Sequence, residues 1–124
     1  MVTLHNRIRA GGFVESEGNS FYSRDQITIA GGAGVLFPGT VLGKITSSGK
    51  YTISPKTGSD GSQIAVAILW DYADATDGDV IAAAVSRAAE VRADDLTFDP
   101  SVALLSDQEA KHTQLRAAGI IVRF

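Results

Sequence analysis

Apolar and polar residues alternate from the start of the chain. Val2, Leu4 and Ile8 fall on one side, and Thr3, His5, Arg7 and Arg9 on the other, with Asn6 interrupting the apolar set. A period of two marks an extended strand. Ala10-Gly11-Gly12 follows and reads as a flexible joint. The pattern predicts a flexible N-terminal arm over residues 1–12 and a single β-rich domain over residues 13–124.

Short strand signals then recur, separated by turn residues. Gln26 to Ala30 puts Ile27 and Ile29 on one face, and Gly31-Gly32-Ala33-Gly34 turns the chain. Pro38-Gly39 leads into Thr40 to Thr46, and Ser47-Ser48-Gly49 turns back into Lys50 to Ile53, a hairpin pattern. Pro55 to Ser62 is a polar loop. Gln63 to Tyr72 is a continuous apolar run with branched residues, which predicts a central strand buried on both faces. Asp74 to Asp79 reads as an acidic turn, and Val80 to Val85 and Ala89 to Arg92 as two more strands.

One segment reads as helical. Ser106 and Glu109 match the S-x-x-E capping box, in which hydroxyl and carboxylate satisfy reciprocal backbone N–H groups. Asp107 and Glu109 suit the positive end of a helix. Gly119 is placed to end it in the left-handed conformation, and Ile120-Ile121-Val122 forms a last buried strand. The fold class expected is mainly β with one short C-terminal α-helix.

Composition narrows the chemistry. The 124 residues suffice for one hydrophobic core. Apolar residues make up 44% and charged residues 20%, an ordinary globular balance. The absence of cysteine excludes disulfides and thiolate metal sites. No apolar run approaches the roughly 18 residues of a membrane span, and no secretory signal is expected. The net charge of −3 argues against general nucleic-acid binding. Residues 1–14 carry Arg7 and Arg9 without an acid, a charge of +2, so the remaining residues sum to −5. A basic arm on an acidic body suits docking onto an acidic surface.

Catalytic and ligand motifs fail on spacing. Gly39 to Lys44 has three residues between its glycines where a phosphate loop has four, and Ile45 stands where Ser or Thr would bind Mg²⁺. Gly32 and Gly34 begin a G-x-G, but Phe37 stands at its third glycine position. Asp71, Asp74, Asp77 and Asp79 surround Gly78, yet Ala73 and Ala75 occupy the first two ligand positions of a calcium loop. The two histidines, His5 and His112, have no ligand spacing, and His112 is expected on the surface. No serine lies in a nucleophile elbow. The expectation is a non-catalytic protein without metal or cofactor.

Several blocks, in order, carry a resemblance. They are Ser23-Arg24-Asp25-Gln26-Ile27-Thr28-Ile29-Ala30, Gly39-Thr40-Val41-Leu42-Gly43-Lys44-Ile45, and Asp60-Gly61-Ser62-Gln63 leading to Ala67-Ile68-Leu69. Ala89-Glu90-Val91-Arg92-Ala93 with Leu96, and Gly119-Ile120-Ile121-Val122-Arg123, complete the set. With these blocks the chain resembles the lambda-type head decoration proteins of tailed bacteriophages. The resemblance implies a β-clip-like subunit that forms homotrimers on an expanded capsid. There it would cement the major capsid protein against internal DNA pressure. It implies a virion protein made in the host cytoplasm, with no direct nucleic-acid or membrane partner. It also implies a capsid-binding role for the arm, carried by position onto Val2, Thr3, Leu4, His5, Asn6, Arg7, Ile8 and Arg9.

Arg87, Glu90 and Arg92 are charges set among strand-like alanines and valines, and are candidates for the trimer interface. A solvated strand edge explains them equally. Two other functions compete. A small-molecule or carbohydrate-binding β module would need an aromatic cluster in a cleft. The aromatics here are scattered, apart from Trp70 with Tyr72 and Phe21 with Tyr22. A hydrolase using the acidic turn would need a water-shielded carboxylate pocket.

Overall fold

Alternation along a few short strands sorts this chain into two hydrophobic clusters, one inside a small barrel and one outside it. The computed structural model describes residues 9–124. The strands are β1 (Val14–Glu17), β2 (Arg24–Ile29), β3 (Gly34–Leu36), β4 (Val41–Lys44), β5 (Tyr51–Ile53), β6 (Ala65–Leu69), β7 (Ala73–Ala75), β8 (Val80–Val85), β9 (Ala89–Arg92) and β10 (Ile120–Arg123). A short helix, α1 (Ser20–Ser23), precedes β2, and the long helix α2 (Leu105–Ala117) precedes β10. The protein is mainly β, as expected.

Strands β2, β5, β4, β6 and β8 close into the barrel. The expected hairpin is there: β4 pairs antiparallel with β5, with Leu42 opposite Ile53 and Lys44 opposite Tyr51. Gly49 makes the turn with φ of 74° and donates its N–H to Ile45 O at 2.8 Å. Gly43 must be glycine here, because a Cβ would collide with the Ser62 backbone. The phosphate-loop likeness of Gly39 to Lys44 is thus a hairpin.

The barrel interior holds Ile27, Ile29, Leu42, Ala67, Leu69 and Ala84. The second cluster lies on the outside of the same strands and holds Val41, Ile68 and Val85 together with Phe13, Val91, Leu115 and Ile120. Strand β6 therefore feeds both clusters, which is why its sequence reads as an unbroken apolar run. The outer cluster is covered by α2 and by a three-stranded sheet in the order β1-β9-β10. In that sheet β1 runs antiparallel to β9, and β10 runs parallel to it.

The sequence expectation misplaced two features. The segment read as the acidic turn Asp74 to Asp79 begins as a strand: Ala73–Ala75 pairs antiparallel with Gly34–Leu36 in a two-stranded ribbon. Ala73 and Ala75 are buried while Asp74 is exposed, so burial of the small residues outweighs the turn preference of aspartate. The helix also starts earlier than the capping box implies. Leu104 is its N-cap, with extended backbone and no side-chain cap, and it accepts from Asp107 N at 3.0 Å. Ser106 sits exposed inside the first turn. Val102, just before this start, is buried and donates its N–H to Asp99 O at 2.8 Å, and the N-cap falls two residues earlier than Ser106. The helix end is as expected, with Gly119 at φ 92° donating to Arg116 O at 3.0 Å.

Candidate interaction surfaces

The root of the arm is a built feature. Arg9 to Gly12 forms a turn in which Gly12 N donates to Arg9 O at 2.8 Å. Gly11 N donates to Trp70 O at 2.9 Å, and Val14 N donates to Gly11 O at 3.1 Å. Gly11 has φ of 69°, and a Cβ there would collide with the Trp70 ring. A glycine is needed at this point for both reasons. Arg92 closes the turn from the other side by donating to Gly12 O. The Ala10 to Gly12 joint is therefore a hydrogen-bonded turn packed on Trp70. Of the arm residues proposed to bind a partner, Arg9 is exposed at this root. Val2, Thr3, Leu4, His5, Asn6, Arg7 and Ile8 lie outside the described residues.

Trp70 is gripped on both sides. The Phe13 ring meets it edge-on with centroids 6.2 Å apart, and the Arg24 guanidinium lies 3.5 Å from its ring centroid. Such a contact is worth about 0.5–2 kcal/mol. Glu17 positions Arg24: its carboxylate accepts from Arg24 Nε at 3.3 Å and from Ser23 Oγ at 2.5 Å. Burial pushes the Glu17 carboxyl upward, but the hydrogen bonds from Arg24 and Ser23 outweigh it and leave the net value lowered.

The three candidate trimer residues each have a partner within their own chain. Arg87 forms a two-pronged pair with Asp25, at 2.6 and 3.2 Å, and donates to Tyr22 O. Hydrogen bonds from Arg87 and Ser86 hold the Asp25 carboxyl below its usual range. Glu90 accepts from Arg123 Nε at 2.8 Å and from Ser16 Oγ at 2.5 Å. Arg92 meets Asp95 at 2.6 Å and Glu15 at 3.5 Å. Glu90 and Arg92 share the outward face of β9, since Ala89 and Val91, which alternate with them, are buried. Arg87 sits apart, at the corner between β8 and β9. An open groove of about 430 Å³ runs beside this sheet, lined by residues 16–18 and 88–90 with Gly119 and Ile121.

Large apolar side chains stay exposed at several places. Ile81 on β8 and Leu105 at the start of α2 are each 69% exposed, and Leu104 beside it is 62% exposed. Val35 lies on β3, and Tyr72, just before β7, meets the Phe37 ring at 5.6 Å.

Sequence reasoning missed the one buried cation among the described residues. Lys111 is 2% exposed, and its ammonium donates to Ser54 Oγ at 3.0 Å, Pro55 O at 2.7 Å and Gln63 O at 2.6 Å. All three of its protons are thereby engaged. Ser54 in turn donates to Ser62 O at 2.7 Å. The serine–lysine contact thus has its hydrogen bonds committed to structure, and both residues are buried. His112 is a second correction. Its Nε2 is buried without a hydrogen-bond partner, and its ring lies 5.9 Å from that of Phe98 and 5.6 Å from that of Phe124. Burial lowers its pKa. The helix turns His112 toward Phe98, and sequence neighbours on a helix do not reveal such a partner.

The acidic residues do not converge. Asp74 accepts from Thr76 Oγ1 at 2.6 Å, and Asp79 accepts from Gly31 N at 2.7 Å and pairs with Lys50. Among the described residues no group of three or more His, Cys, Asp or Glu is placed to hold a metal ion. Nor is any helix long and apolar enough to cross a membrane.

Comparison with known proteins gives one family. The model of the family described as bacteriophage lambda head decoration protein D matches residues 3–120 of the chain. No curated protein matches it.

Proposed function

The chain belongs to the family of bacteriophage lambda head decoration protein D, and from that premise we propose that it binds the expanded phage head as a homotrimer and stabilises it against the pressure of packaged DNA. Its family is structural, and its place is the capsid of a virion. The observation that carries the reading is the extent of the match, which covers both the arm and nearly the whole folded body.

The architecture suits a cement. The exposed side chains of Ile81, Leu104 and Leu105 offer apolar surface that subunit contacts would cover. Fully burying one such side chain is worth about 1.5–3 kcal/mol. The major capsid protein is the partner proposed for the arm. Val2, Leu4 and Ile8 would enter an apolar groove while the arm backbone adds to a sheet edge. Arg7 and Arg9 would meet carboxylates, which speeds encounter and makes attachment sensitive to salt. Many copies acting together turn a modest contact into a strong one.

The test uses expanded heads that lack the protein. Purified chain should bind them and raise their resistance to heat and to chelator-induced rupture. Deleting residues 2–8 should leave folding and trimerisation intact, because the Arg9–Gly12 turn is retained, and should weaken head binding. Undiminished binding of that variant would remove the arm from the mechanism. Heads that bind the full chain without gaining resistance would refute the stabilising role.

A further inference from the structure

Two arginines from different strands of the body converge on the turn at Arg9 to Gly12. Arg92 comes from β9. Its backbone N–H donates to Phe13 O at 2.9 Å, and its guanidinium donates to Gly12 O. Asp95 holds the same guanidinium at 2.6 Å, and Glu15 lies 3.5 Å from it. Arg24 opens β2 and reaches the turn through Trp70. Its guanidinium lies 3.5 Å from the centroid of the indole ring, and the Glu17 carboxylate accepts from its Nε at 3.3 Å. Gly11 sits so close to that ring that a Cβ would collide with it. The Trp70 backbone is tied both ways: Trp70 O accepts from Gly11 N at 2.9 Å, and Trp70 N donates to Ala83 O on β8 at 3.0 Å.

Two adjacent glycines would otherwise leave this joint wide backbone freedom. A free joint has to be ordered when the segment ahead of it binds, and that ordering weakens binding. A joint already fixed by folding carries no such cost into attachment. Arginine suits this task. Its planar fork can hold a carboxylate with some donors while it stacks on a ring or serves a carbonyl with the rest. Arg24 and Arg92 each combine two such contacts, and neither belongs to the arm.

We propose that Arg24 and Arg92 are positioning residues for attachment: they hold the Arg9–Gly12 turn in one conformation before binding, and so fix where residues 1–8 leave the body. Their part in attachment rests on the reading of the arm as the capsid-binding segment. Their hold on the turn does not.

The test uses the full chain with Arg24→Gln or Arg92→Gln and reads two properties. The first is hydrogen exchange at the amides of Gly11, Gly12 and Val14, which make the bonds of the turn. Exchange there should quicken by about tenfold or more in each variant. The amides of Leu69 and Ser54, which bond within the body, should keep their rates. The second is binding to expanded heads that lack the protein. It should weaken by about tenfold, the loss that ordering one more residue on binding brings, although residues 1–12 are all present. Glu17→Gln and Asp95→Asn loosen the same two arginines from behind and keep side-chain volume. They should act in the same direction more weakly, and they decide the matter if an arginine variant does not fold. Unchanged exchange at the turn would overturn the clamp whatever the heads show. Weakened binding on deletion of residues 2–8, beside full binding by both arginine variants, would overturn the positioning role alone. Undiminished binding on that deletion would overturn the arm reading, and the positioning role with it, while the exchange rates still report on the clamp.

Discussion

Lys111 Nζ lies 2.6 Å from Gln63 O and 2.7 Å from Pro55 O, so one buried side chain from α2 holds both ends of the loop between β5 and β6. The lysine has no carboxylate at hydrogen-bonding distance. Its charge is met by two carbonyls and a hydroxyl, which is an adequate shell for an ammonium group. Lys111→Met keeps the stem volume but leaves two carbonyls and the Ser54 hydroxyl without their donor. Unfolding in urea should show a loss of about 2–4 kcal/mol, since breaking a buried charged hydrogen-bond set costs that much. A loss within 0.5 kcal/mol, roughly the size of an ordinary surface change, would show that the cage contributes nothing.

Asp25 and Glu17 are both held below their ordinary values, Asp25 by Arg87 and Ser86, and Glu17 by Arg24 and Ser23 against the upward push of burial. A carboxyl that is more acidic in the folded chain contributes stability above its unfolded pKa, about 4 for such groups, and loses it as pH falls through the folded value. The urea midpoint should be flat from pH 7 to 5 and fall below about pH 4. Asp25→Asn should start lower and fall less steeply. The pairs are partly exposed, so the effect will shrink in high salt. Parallel curves for the two proteins would contradict this assignment.

Ala88 has φ of 53°, the only left-handed non-glycine residue among those described, and it lies against Gly18 and Gly119. L-residues resist this region by roughly 1–2 kcal/mol. Ala88→Gly should raise stability by about 0.5–1 kcal/mol, because the relief of strain is only partly offset by the entropy of glycine in the unfolded chain. Gly11→Ala should act oppositely, by at least 1 kcal/mol on the same scale, and should shift the emission of the single tryptophan as its ring is displaced. Equal stability of Ala88→Gly and the parent would show that the turn carries no strain.

Much of the barrel was legible because its strands obey alternation. Ile27 and Ile29 share the interior, the β4–β5 hairpin closes at Gly49, and Gly119 ends the helix. The misses have a common cause. β1 reads Val-Glu-Ser-Glu, with too few apolar residues to signal a strand, and it forms by pairing with β9 some 75 residues away. The β3–β7 ribbon is short and alanine-rich, so its period of two was hidden among the aspartates. Lys111 was unreadable because its acceptors lie about 50 residues earlier in the chain. Of the three candidate interface charges Glu90 and Arg92 lie on β9 and Arg87 on the bend before it, and sequence could not show that each would find a partner within its own chain.

Those internal partners sharpen the trimer proposal. Exposed ion pairs contribute at most about 1 kcal/mol to folding, so changing one should leave the fold intact. Light scattering should give a trimer at micromolar concentration for the full chain. Glu90→Arg should remain folded by circular dichroism and lower the observed mass if β9 faces a neighbouring subunit, and Ile81→Glu should do so if β8 does. A monomeric parent at all concentrations would contradict the trimer. Trimers that persist in both variants would exclude both faces.

The most direct measurement is an electron cryo-microscopy reconstruction of expanded heads saturated with this chain. The account predicts three copies of the described fold around each three-fold and local three-fold position on the outer surface. It also predicts continuous density from Arg9 into an edge strand of the adjoining capsid subunit. Added density at other positions, single copies without three-fold arrangement, or a head surface identical to that of undecorated heads would contradict it.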